Sequence, residues 1–397
     1  MSRHLRLAVL AVALLSAIAP AARASSSAPP LGARVGFWAS QNFLPCGAQD
    51  PAYCPRDLSS YTPQVWDALA STGGSLYLDM VYTSDFGPTP PGITQRTDGL
   101  DLIRHANQLG VPVNAWITLP LAWGTFANEN NAATVGDAVR SFHDWALAQG
   151  VTIGEVALDT EFPLGDQPVA DLLSADPARQ RALLSTGIDP AHQCDAIRSY
   201  RATIDWAHAH GMRLTSAPIS FAVDDLADGN LALQDALDIA PGPEPGYDAM
   251  YVQAYRSYSN PSPAYVASYF ASMRSYFGKR GEATLGDIGQ PPYDNLANVV
   301  FDVRMLAGLG ARAIPLFDLD GTVRTFGADG LRAIVDAGHD PLTGDALTAA
   351  TIETPYDQLN RQVFRKLDTI ATALTPVVSL ARGGMRQPNP LLGGCSG

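Results

Sequence analysis

Positive charge is scarce in this sequence. Lysine and arginine together number 26, against 39 aspartates and glutamates in 397 residues, which gives a formal net charge of −13. An acidic chain is repelled by the phosphate backbone of nucleic acids and by anionic membrane surfaces. We therefore predict no nucleic-acid partner. The charge is compatible with a neutral polymer as the partner.

Motifs that mark several common enzyme classes are missing. No glycine-rich phosphate loop follows the first predicted strand, as a dinucleotide-binding open sheet requires. No Gly-x-Ser-x-Gly turn lies between a strand and a helix, which argues against the serine hydrolases that use one. The histidines lie in or beside predicted helices, or after the last of them, and not at strand ends. Apart from His4 at the N-terminus, they are His105, His143, His192, His208, His210 and His339. We therefore expect neither a metal nor a cofactor.

The one long apolar run lies at the N-terminus. Residues 7–18 follow two arginines and precede an Ala22-Arg23-Ala24 cleavage pattern, which together are typical of a secretion signal. The run is too short to span a membrane. We predict a signal peptide over residues 1–24, a flexible leader over residues 25–32, and a secreted protein without a membrane anchor.

Cysteine is sparse as well, with four residues in the chain. An even number in an exported protein predicts disulfides. Cys46 and Cys54 lie close together in a loop rich in proline and glycine, so we expect them to pair. Cys194 and Cys395 would then join the C-terminal tail to the body.

What the sequence does contain is a regular alternation of apolar, β-branched segments with amphipathic ones. The predicted strands span residues 34–40, 75–82, 111–118, 152–161, 212–219, 248–256, 282–288 and 311–318. The predicted helices, with apolar spacings of three and four, span residues 59–72, 97–109, 134–148, 194–210, 263–277, 296–309 and 327–337. Eight such rounds predict an α/β fold, a closed (β/α)8 TIM barrel over residues 33–340. A doubly wound open sheet is the alternative.

Two segments exceed the barrel plan. Residues 162–190 are too long for a simple loop after strand four, so we expect a short helical insertion over the barrel mouth. Residues 341–397 contain a predicted helix over residues 355–374 and a tail rich in glycine and proline. We expect this C-terminal extension to pack on the barrel. Nothing resembles a coiled-coil seam, and we expect a monomer.

The carboxyl ends of the predicted strands carry acids, amides and aromatic rings. In barrels of this type catalysis takes place at that face. The residues predicted to bind substrate are Trp38, Asp79, Tyr82, Trp116, Gln253, Asp287, Asp318 and Asp320. Others near the same ends are Asp85, Trp123, Asn128, Glu129, Ser216, Ser220, Asp224, Asp225, Tyr258 and Gln290. Acids and amides bind sugar hydroxyls, and flat rings stack on the C–H face of a pyranose, so the set favours a carbohydrate substrate.

The fourth predicted strand ends in two acids, Asp159 and Glu161. Residues two apart in a strand point to the same side, which places their Cβ atoms about 6–7 Å apart. Two acids this close resist ionising together, so one of them holds its proton to a higher pH. A protonated acid beside an ionised one can cleave a glycosidic bond. The alternative is a pair of solvated acids at a strand end.

These residues resemble the chitinase-like superfamily of barrel glycosidases. Members of that family end the fourth strand in Asp-x-x-Asp-x-Asp-x-Glu. The last two acids of the motif fall on Asp159 and Glu161, whereas the first two fall on Gly154 and Ala157. Half of the motif is therefore missing from this chain.

Two other strand ends bear on the resemblance. The family carries a tyrosine at the end of strand six, and Gln253-Ala254-Tyr255 matches that pattern. The tryptophan that the family usually has at the end of strand eight is replaced by Phe317 or Asp318.

The resemblance implies a mechanism. Glu161 would protonate the leaving-group oxygen, and Asp159 and Tyr255 would position and stabilise a substrate 2-acetamido group that acts as an internal nucleophile. A second glycosidase mechanism needs no acetamido group. In that mechanism Glu161 is the acid and base, and Asp287 or Asp318 across the mouth is the nucleophile or base.

Three functions remain open on the sequence. The first is a secreted glycoside hydrolase that acts on a polysaccharide or cell-wall glycan. The second is a non-catalytic carbohydrate-binding barrel, which the incomplete strand-four motif favours. The third is another hydrolase or lyase that uses the acidic mouth, with a metal.

Overall fold

The fold is a closed barrel of eight parallel strands, which a computed structural model describes over residues 32–39, 50–163, 176–226, 229–240, 245–381 and 395. The strands are β1 Arg34–Ala39, β2 Ser75–Val81, β3 Val113–Thr118, β4 Val156–Thr160, β5 Leu214–Pro218, β6 Ala249–Gln253, β7 Gly281–Gly286 and β8 Ala313–Phe317. Each strand pairs with its neighbours in sequence, and β1 closes the barrel by pairing with β8. The predicted (β/α)8 barrel is confirmed, and the open-sheet alternative is wrong.

Helices surround the strands and extend beyond the barrel. In the described residues they are α1 Pro63–Thr72, α2 Asp98–Leu109, α3 Ala132–Gln149, α4 Pro177–Gly187, α5 Pro190–Ala209, α6 Ser220–Asp225, α7 Ala232–Ala236, α8 Pro263–Phe277, α9 Leu296–Gly308, α10 Leu319–Ala337, α11 Gly344–Ala350 and α12 Pro355–Ala381. The predicted insertion after strand four contains α4, and the predicted C-terminal extension contains α11 and α12.

The element boundaries differ from the predictions where local chemistry competes with periodicity. β4 begins at Val156 instead of residue 152. Just before it lies Gly154, where a Cβ would come within 2.6 Å of Oδ1 of Asn114. α10 begins at Leu319, ahead of the predicted residue 327, and bends at Gly327, whose φ of 66° leaves the helical region. The sequence pattern detected only the part of α10 that follows this bend.

Large aromatic rings and small alanines together fill the interior of the barrel. The cluster contains Trp38, Tyr77, Trp116, Tyr251, Ala157, Ala217, Ala249 and Ala313. The ring of Trp38 stacks on Tyr77 at 4.6 Å between centroids and meets Trp116 edge-on at 5.2 Å. Nε1 of Trp38 donates across the barrel to Oγ1 of Thr284 at 3.3 Å. Because these rings fill the interior, a ligand can reach only the layer above them.

A buried carboxylate lies below the aromatic layer. The hydroxyls of Tyr77 and Tyr251 both donate to Oε1 of Glu155, each at 3.0 Å. Nη1 of Arg213 lies 3.4 Å from the other carboxylate oxygen. Glu155 precedes β4, so it lies at the end of the barrel opposite Asp159 and Glu161 and holds the interior rings from below.

The C-terminal helix α12 packs against α4, α6 and α7 through a second apolar cluster. Leu184, Phe221, Leu233, Leu237, Leu367 and Ala371 are among its buried members, and Phe162 packs against it. Because Phe162 directly follows Glu161 in the chain, this cluster supports the tip of β4. The C-terminal extension is therefore part of the carboxyl face of the barrel.

A buried ion pair fastens α12 to the barrel. Nη2 of Arg361 lies 2.6 Å from Oδ1 of Asp224, and the hydroxyl of Tyr269 donates to Oδ2 of Asp224 at 2.5 Å. The guanidinium of Arg361 also lies over the Tyr269 ring, 4.4 Å from its centroid. Asp225 accepts hydrogen bonds from the backbone N–H groups of Leu233 and Gln234. Both acids were candidates for the site on the sequence, and their contacts show that they serve packing instead.

A disulfide joins Cys194 to Cys395, with 5.6 Å between the Cα atoms. The predicted pairing of Cys54 with Cys46 lies outside the described residues, because Cys46 is not among them. The predicted signal peptide lies outside them as well. No helix in the described part of the chain has the length and apolarity to cross a membrane.

We expect Asp224→Asn to lower the free energy of unfolding by about 3–5 kcal/mol, because it leaves the buried guanidinium of Arg361 without a compensating charge. Urea titration measures this loss. Asp329→Asn is the matched control, since Asp329 pairs with Arg332 at 2.8 Å on an exposed helix face and such pairs contribute little. Equal stability of the two variants would contradict the role given to the Asp224–Arg361 pair.

Candidate active site

The tip of β4 is held by an added segment of chain. The backbone N–H of Ala127 donates to the carbonyl of Asp159 at 2.8 Å, and the N–H of Glu161 donates to the carbonyl of Ala127 at 3.2 Å. Ala127 therefore extends the sheet beyond β3, alongside the two acids. Asp159 and Glu161 are both half-buried, whereas the intervening Thr160 is buried. This alternation places both acids on the inner side of the barrel, as the strand period predicts.

One amide nitrogen contacts both acids. Nε2 of Gln253, at the end of β6, donates to Oδ1 of Asp159 at 2.8 Å and to Oε1 of Glu161 at 2.7 Å. It also lies 3.1 Å from the carbonyl oxygen of Ala217. An amide NH₂ group has only two hydrogens, so three acceptors compete for them. The structure thus brings the two acids together around a single donor.

Both acids are shifted towards their protonated forms. Burial raises the pKa of Asp159 well above its usual value, the charge of Glu161 adds to this rise, and the hydrogen bond from Gln253 opposes it. Burial likewise raises the pKa of Glu161, again opposed by Gln253. Two carboxyl groups this close titrate as a unit. The pair therefore retains a proton at a pH at which a solvated acid has lost it.

Tyr255 lies beside the pair. Its ring stacks with Phe317 at 6.1 Å between centroids, and a Cβ at Gly286 would lie 2.9 Å from it, so glycine is needed there. Burial raises the pKa of Tyr255 well above its usual value, and the charges of Tyr258, Asp159, Glu161 and Asp287 add to this. The hydroxyl therefore stays protonated near the two acids and can donate a hydrogen bond.

Asp287 and Asp318 follow β7 and β8 on another side of the mouth. Burial raises the pKa of Asp287, and the charge of Asp318 adds to the rise. Oδ1 of Asp318 also caps α10 by accepting from the N–H of Gly321 at 2.6 Å. Asp320 lies half-buried in the first turn of α10. Asp287 is half-buried, lies close enough to Tyr255 to affect its pKa and, unlike Asp318, caps no described helix, so it is the better placed of these two to meet a substrate.

Three predicted binding residues lie deeper than expected. Trp38 and Trp116 are 3% and 1% exposed and belong to the aromatic layer inside the barrel. Asp79 is 1% exposed and accepts a hydrogen bond from Oγ1 of Thr118 at 2.6 Å. Neither indole offers an open face at the rim, so the stacking role predicted for Trp38 and Trp116 is not supported by their positions.

Two other rings that follow strand ends are exposed instead. Tyr258 is 65% exposed and lies 5.4 Å from the Tyr255 ring, and Trp123 is 43% exposed in the loop after β3. Tyr82, a predicted binding residue, lies beneath Trp123 with 6.0 Å between ring centroids. Trp123 and Tyr258 follow strand ends in the sequence, which was the signal that made them candidates. Only the folded loops show that they are the exposed ones.

Several residues that shape the site could not be identified from the sequence. Oγ of Ser257 donates to the carbonyl of Gly286 at 2.9 Å and accepts from the N–H of Asp287 at 2.8 Å, so it holds the end of β7. Ala127 holds β4 through backbone groups alone, which no residue type could have indicated. The peptide bonds Gly286–Asp287 and Phe317–Asp318 are cis.

A separate acid lies apart from this pair. Glu129 is 2% exposed, and neither of its carboxylate oxygens has a hydrogen-bond partner among the described residues. Burial raises its pKa well above the usual value, and the charges of Asp235, Asp238 and Asp189 add to this. No group of three or more histidines, cysteines, aspartates or glutamates in the described part of the chain is arranged to hold a metal ion.

No protein-family model matches this sequence, and no curated protein matches it. In structure the chain is similar to the PgaB (BpsB) glycoside hydrolase domain from Bordetella bronchiseptica, with a TM-score of 0.46 and 12% identity over 79% of this chain and 100% of that one. It is also similar to a chitinase from Chromobacterium violaceum, with a TM-score of 0.45 and 13% identity over 77% and 98% of the two chains. A sugar phosphate isomerase/epimerase from Parabacteroides distasonis has a TM-score of 0.40 and 11% identity over 82% and 99%. These proteins differ in chemistry, so the likeness assigns no activity.

The raised pKa of Asp159 has a consequence for stability. Between the pKa of the unfolded chain, about 3.9, and the raised native pKa, the native state binds more protons than the unfolded state. Its stability therefore falls as the pH rises through this window. A neutral amide avoids that loss, so we expect Asp159→Asn to be more stable than the wild type at pH 7.5, by about 1.4 kcal/mol for each unit of pKa shift.

Urea unfolding at pH 7.5 and near pH 4 measures this effect, and the difference should shrink at the lower pH. Asp205→Asn, at an exposed position on α5, is the matched control and should change stability little at either pH. A destabilised Asp159→Asn at pH 7.5 would show that the carboxylate is favourably bound in its ionised form.

Proposed function

We propose that this protein is a secreted glycoside hydrolase that cleaves O-glycosidic bonds of a polysaccharide or cell-wall glycan, with Glu161 as the general acid. The observation that carries the proposal is the shared contact of Asp159 and Glu161 with Nε2 of Gln253. Two acids that face one donor, with raised pKa values, supply a protonated and an ionised carboxyl group in one place. Glycosidic cleavage needs that combination.

The reaction assigns a role to each group. Glu161 donates its proton to the glycosidic oxygen as the bond from that oxygen to the anomeric carbon breaks. Asp159 and the protonated hydroxyl of Tyr255 orient the sugar unit and stabilise the charge that develops on it. Water then supplies a hydroxyl group to the anomeric carbon and returns a proton to Glu161.

The group that attacks the anomeric carbon defines two versions of the mechanism. A 2-acetamido group of the substrate acts as the internal nucleophile in the first, with Asp159 and Tyr255 beside it. A carboxylate across the mouth acts as nucleophile or base in the second. Asp287 supports this version, because it is half-buried and close enough to Tyr255 to affect its pKa.

A non-catalytic carbohydrate-binding barrel is the second candidate. It is favoured by the residues at the two missing motif positions, Gly154 and Ala157. Ala157 is fully buried, pairs in register with Trp116 and belongs to the same interior cluster, so the position at which the motif has an acid carries a methyl group packed among rings. The Asp159–Glu161 pair therefore lacks the additional acid that would hold Asp159 and balance its charge.

We expect Glu161→Gln to reduce turnover by about 10²–10⁴-fold, the usual contribution of a general acid. Release of new reducing ends from a panel of soluble polysaccharides measures this, at a pH where the wild type is active. Glu353→Gln, a half-buried glutamate before α12, is the matched control and should keep wild-type turnover.

Two results separate the candidates. If Glu161→Gln retains full turnover, Glu161 is not the general acid and the proposal is wrong. If the wild type binds a glycan by calorimetry but releases no reducing ends after long incubation, the non-catalytic barrel is the correct function.

A further inference from the structure

We propose that the cleft formed by the segment after β3, between Tyr82 after β2 and Pro163 after β4, is a second sugar-binding subsite, which holds an uncharged unit of the glycan chain next to the unit at Glu161. Trp123 is its binding platform. The inference rests on the proposed function for the placement of the reacting unit. It adds that the substrate is an oligomer or polymer of neutral sugars, because both places must be occupied by one chain.

The cleft has the size and composition of a ligand site. Its volume is about 540 Å³, within the range of small-molecule pockets. The described residues that line it are Tyr82, Leu121, Ala122, Trp123, Gly124, Asn128, Asn130, Asn131, Thr134, Asp137 and Pro163. Two aromatic rings together with amide and hydroxyl groups suit a ligand that has both C–H faces and hydroxyls.

The aromatic part of the cleft is a pair of neighbouring rings that are tilted against each other. Tyr82 is 7% exposed and forms the lower ring, and Trp123 above it is 43% exposed. Their planes are inclined by 50°. Gly87, with a φ of 78°, makes room for the lower ring, because a Cβ there would lie 2.4 Å from Tyr82. Tyr82 thus supports the indole from below and leaves its other side open to solvent.

The loop that carries Trp123 is fixed by its own amides. Nδ2 of Asn131 donates to the carbonyls of Trp123 and Phe126 at 2.9 and 2.8 Å. Nδ2 of Asn128 donates to the carbonyl of Phe126 at 2.9 Å. These bonds hold the backbone of the loop in place before a ligand arrives, which reduces the entropy lost on binding.

The backbone joins the wall of the cleft to the strand end that carries the acid pair. Asn128 in its wall directly follows Ala127, whose carbonyl accepts from the N–H of Glu161 at 3.2 Å. Pro163 in the same wall lies two residues beyond Glu161, a span of about 6–7 Å along an extended chain. That span is comparable to the length of a single pyranose unit. A glycan with one unit at Glu161 can therefore place a neighbouring unit over Trp123.

The charge of the lining selects the kind of sugar. Asp137 is the charged side chain among the described lining residues, which include no lysine or arginine. Its carboxylate lies 2.7 Å from Arg140, which offsets that charge locally. A uronic acid, sulfate or phosphate would meet no cation in the cleft. Uncharged hexose, pentose or N-acetylhexosamine units meet no such penalty.

The test uses the full chain with Glu161→Gln, so that binding is measured without turnover. The probes are the β-1,4-linked hexasaccharides of N-acetylglucosamine, glucose and xylose, and hexagalacturonate as the anionic probe. We expect at least one neutral hexasaccharide to bind in calorimetry, and Trp123→Ala in the same background to weaken that binding by about tenfold through the loss of one stacked ring. Phe301→Ala is the matched control, because Phe301 is 36% exposed on α9, and it should leave binding unchanged.

The outcomes separate this inference from the proposed function. Any of three results overturns the inference: equal binding by the variants with and without Trp123, binding by none of the neutral hexasaccharides, or preferred binding of hexagalacturonate. If Trp123→Ala leaves binding intact while Glu161→Gln abolishes glycan turnover in the otherwise wild-type protein, only the subsite is refuted. If binding depends on Trp123 but the wild type releases no reducing ends, the subsite stands and the hydrolase proposal fails.

Discussion

Two half-buried carboxyl groups that share one hydrogen-bond donor form the central constraint of this structure. Asp159 and Glu161 both contact Nε2 of Gln253, which brings the ends of β4 and β6 together. The amide has too few hydrogens for all its acceptors, and burial disfavours charge on both acids. A proton retained by the pair relieves this conflict, and under the proposed function the same proton is donated to the glycosidic oxygen. Burial of the two acids therefore costs stability at neutral pH and supplies the proton that the proposed reaction uses.

The remainder of the barrel keeps that arrangement in place. The rings of Trp38, Tyr77 and Trp116 fill the interior below the two acids, so the acid side chains cannot turn down into the barrel. Beside β4, Ala127 binds the backbone on both sides of Thr160. On the outside, Phe162 packs with α12 in an apolar cluster. The tip of the strand is thus restrained from below, from the side and from outside.

Two kinds of residue surround the acids at the mouth of the barrel. Asp287 and Asp318 add negative charge on one side, whereas the loop after β3 presents Trp123 with amides and no lysine or arginine. An anionic substrate would be repelled by the first and meet no cation in the second. A neutral glycan can use both, through hydroxyls near the acids and C–H faces on the rings. The overall acidity of the chain agrees with this local pattern.

The barrel and the acid pair were both within reach of the sequence, because each depends on local periodicity. Alternation of apolar and amphipathic segments determines a parallel sheet, and a spacing of two along a strand determines that Asp159 and Glu161 share a face. The depth of a side chain in the barrel is different, since it depends on how neighbouring strands are staggered. That is why Trp38 and Trp116 belong to the interior, although Trp116 lies on β3, the strand that leads to the exposed Trp123.

Contacts between distant segments were decided by the tertiary structure alone. Asp224 has the position of a site residue in sequence, but Arg361, 137 residues further on, turns it into the anchor of α12. Gln253 was a candidate for binding substrate, and only the folded barrel shows that it holds both acids. The pattern along the sequence shows which residues alternate. Contacts across the barrel, in contrast, form only when all eight strands close. The sequence alone therefore identified the two acids, whereas the tertiary structure determined that both contact the same amide.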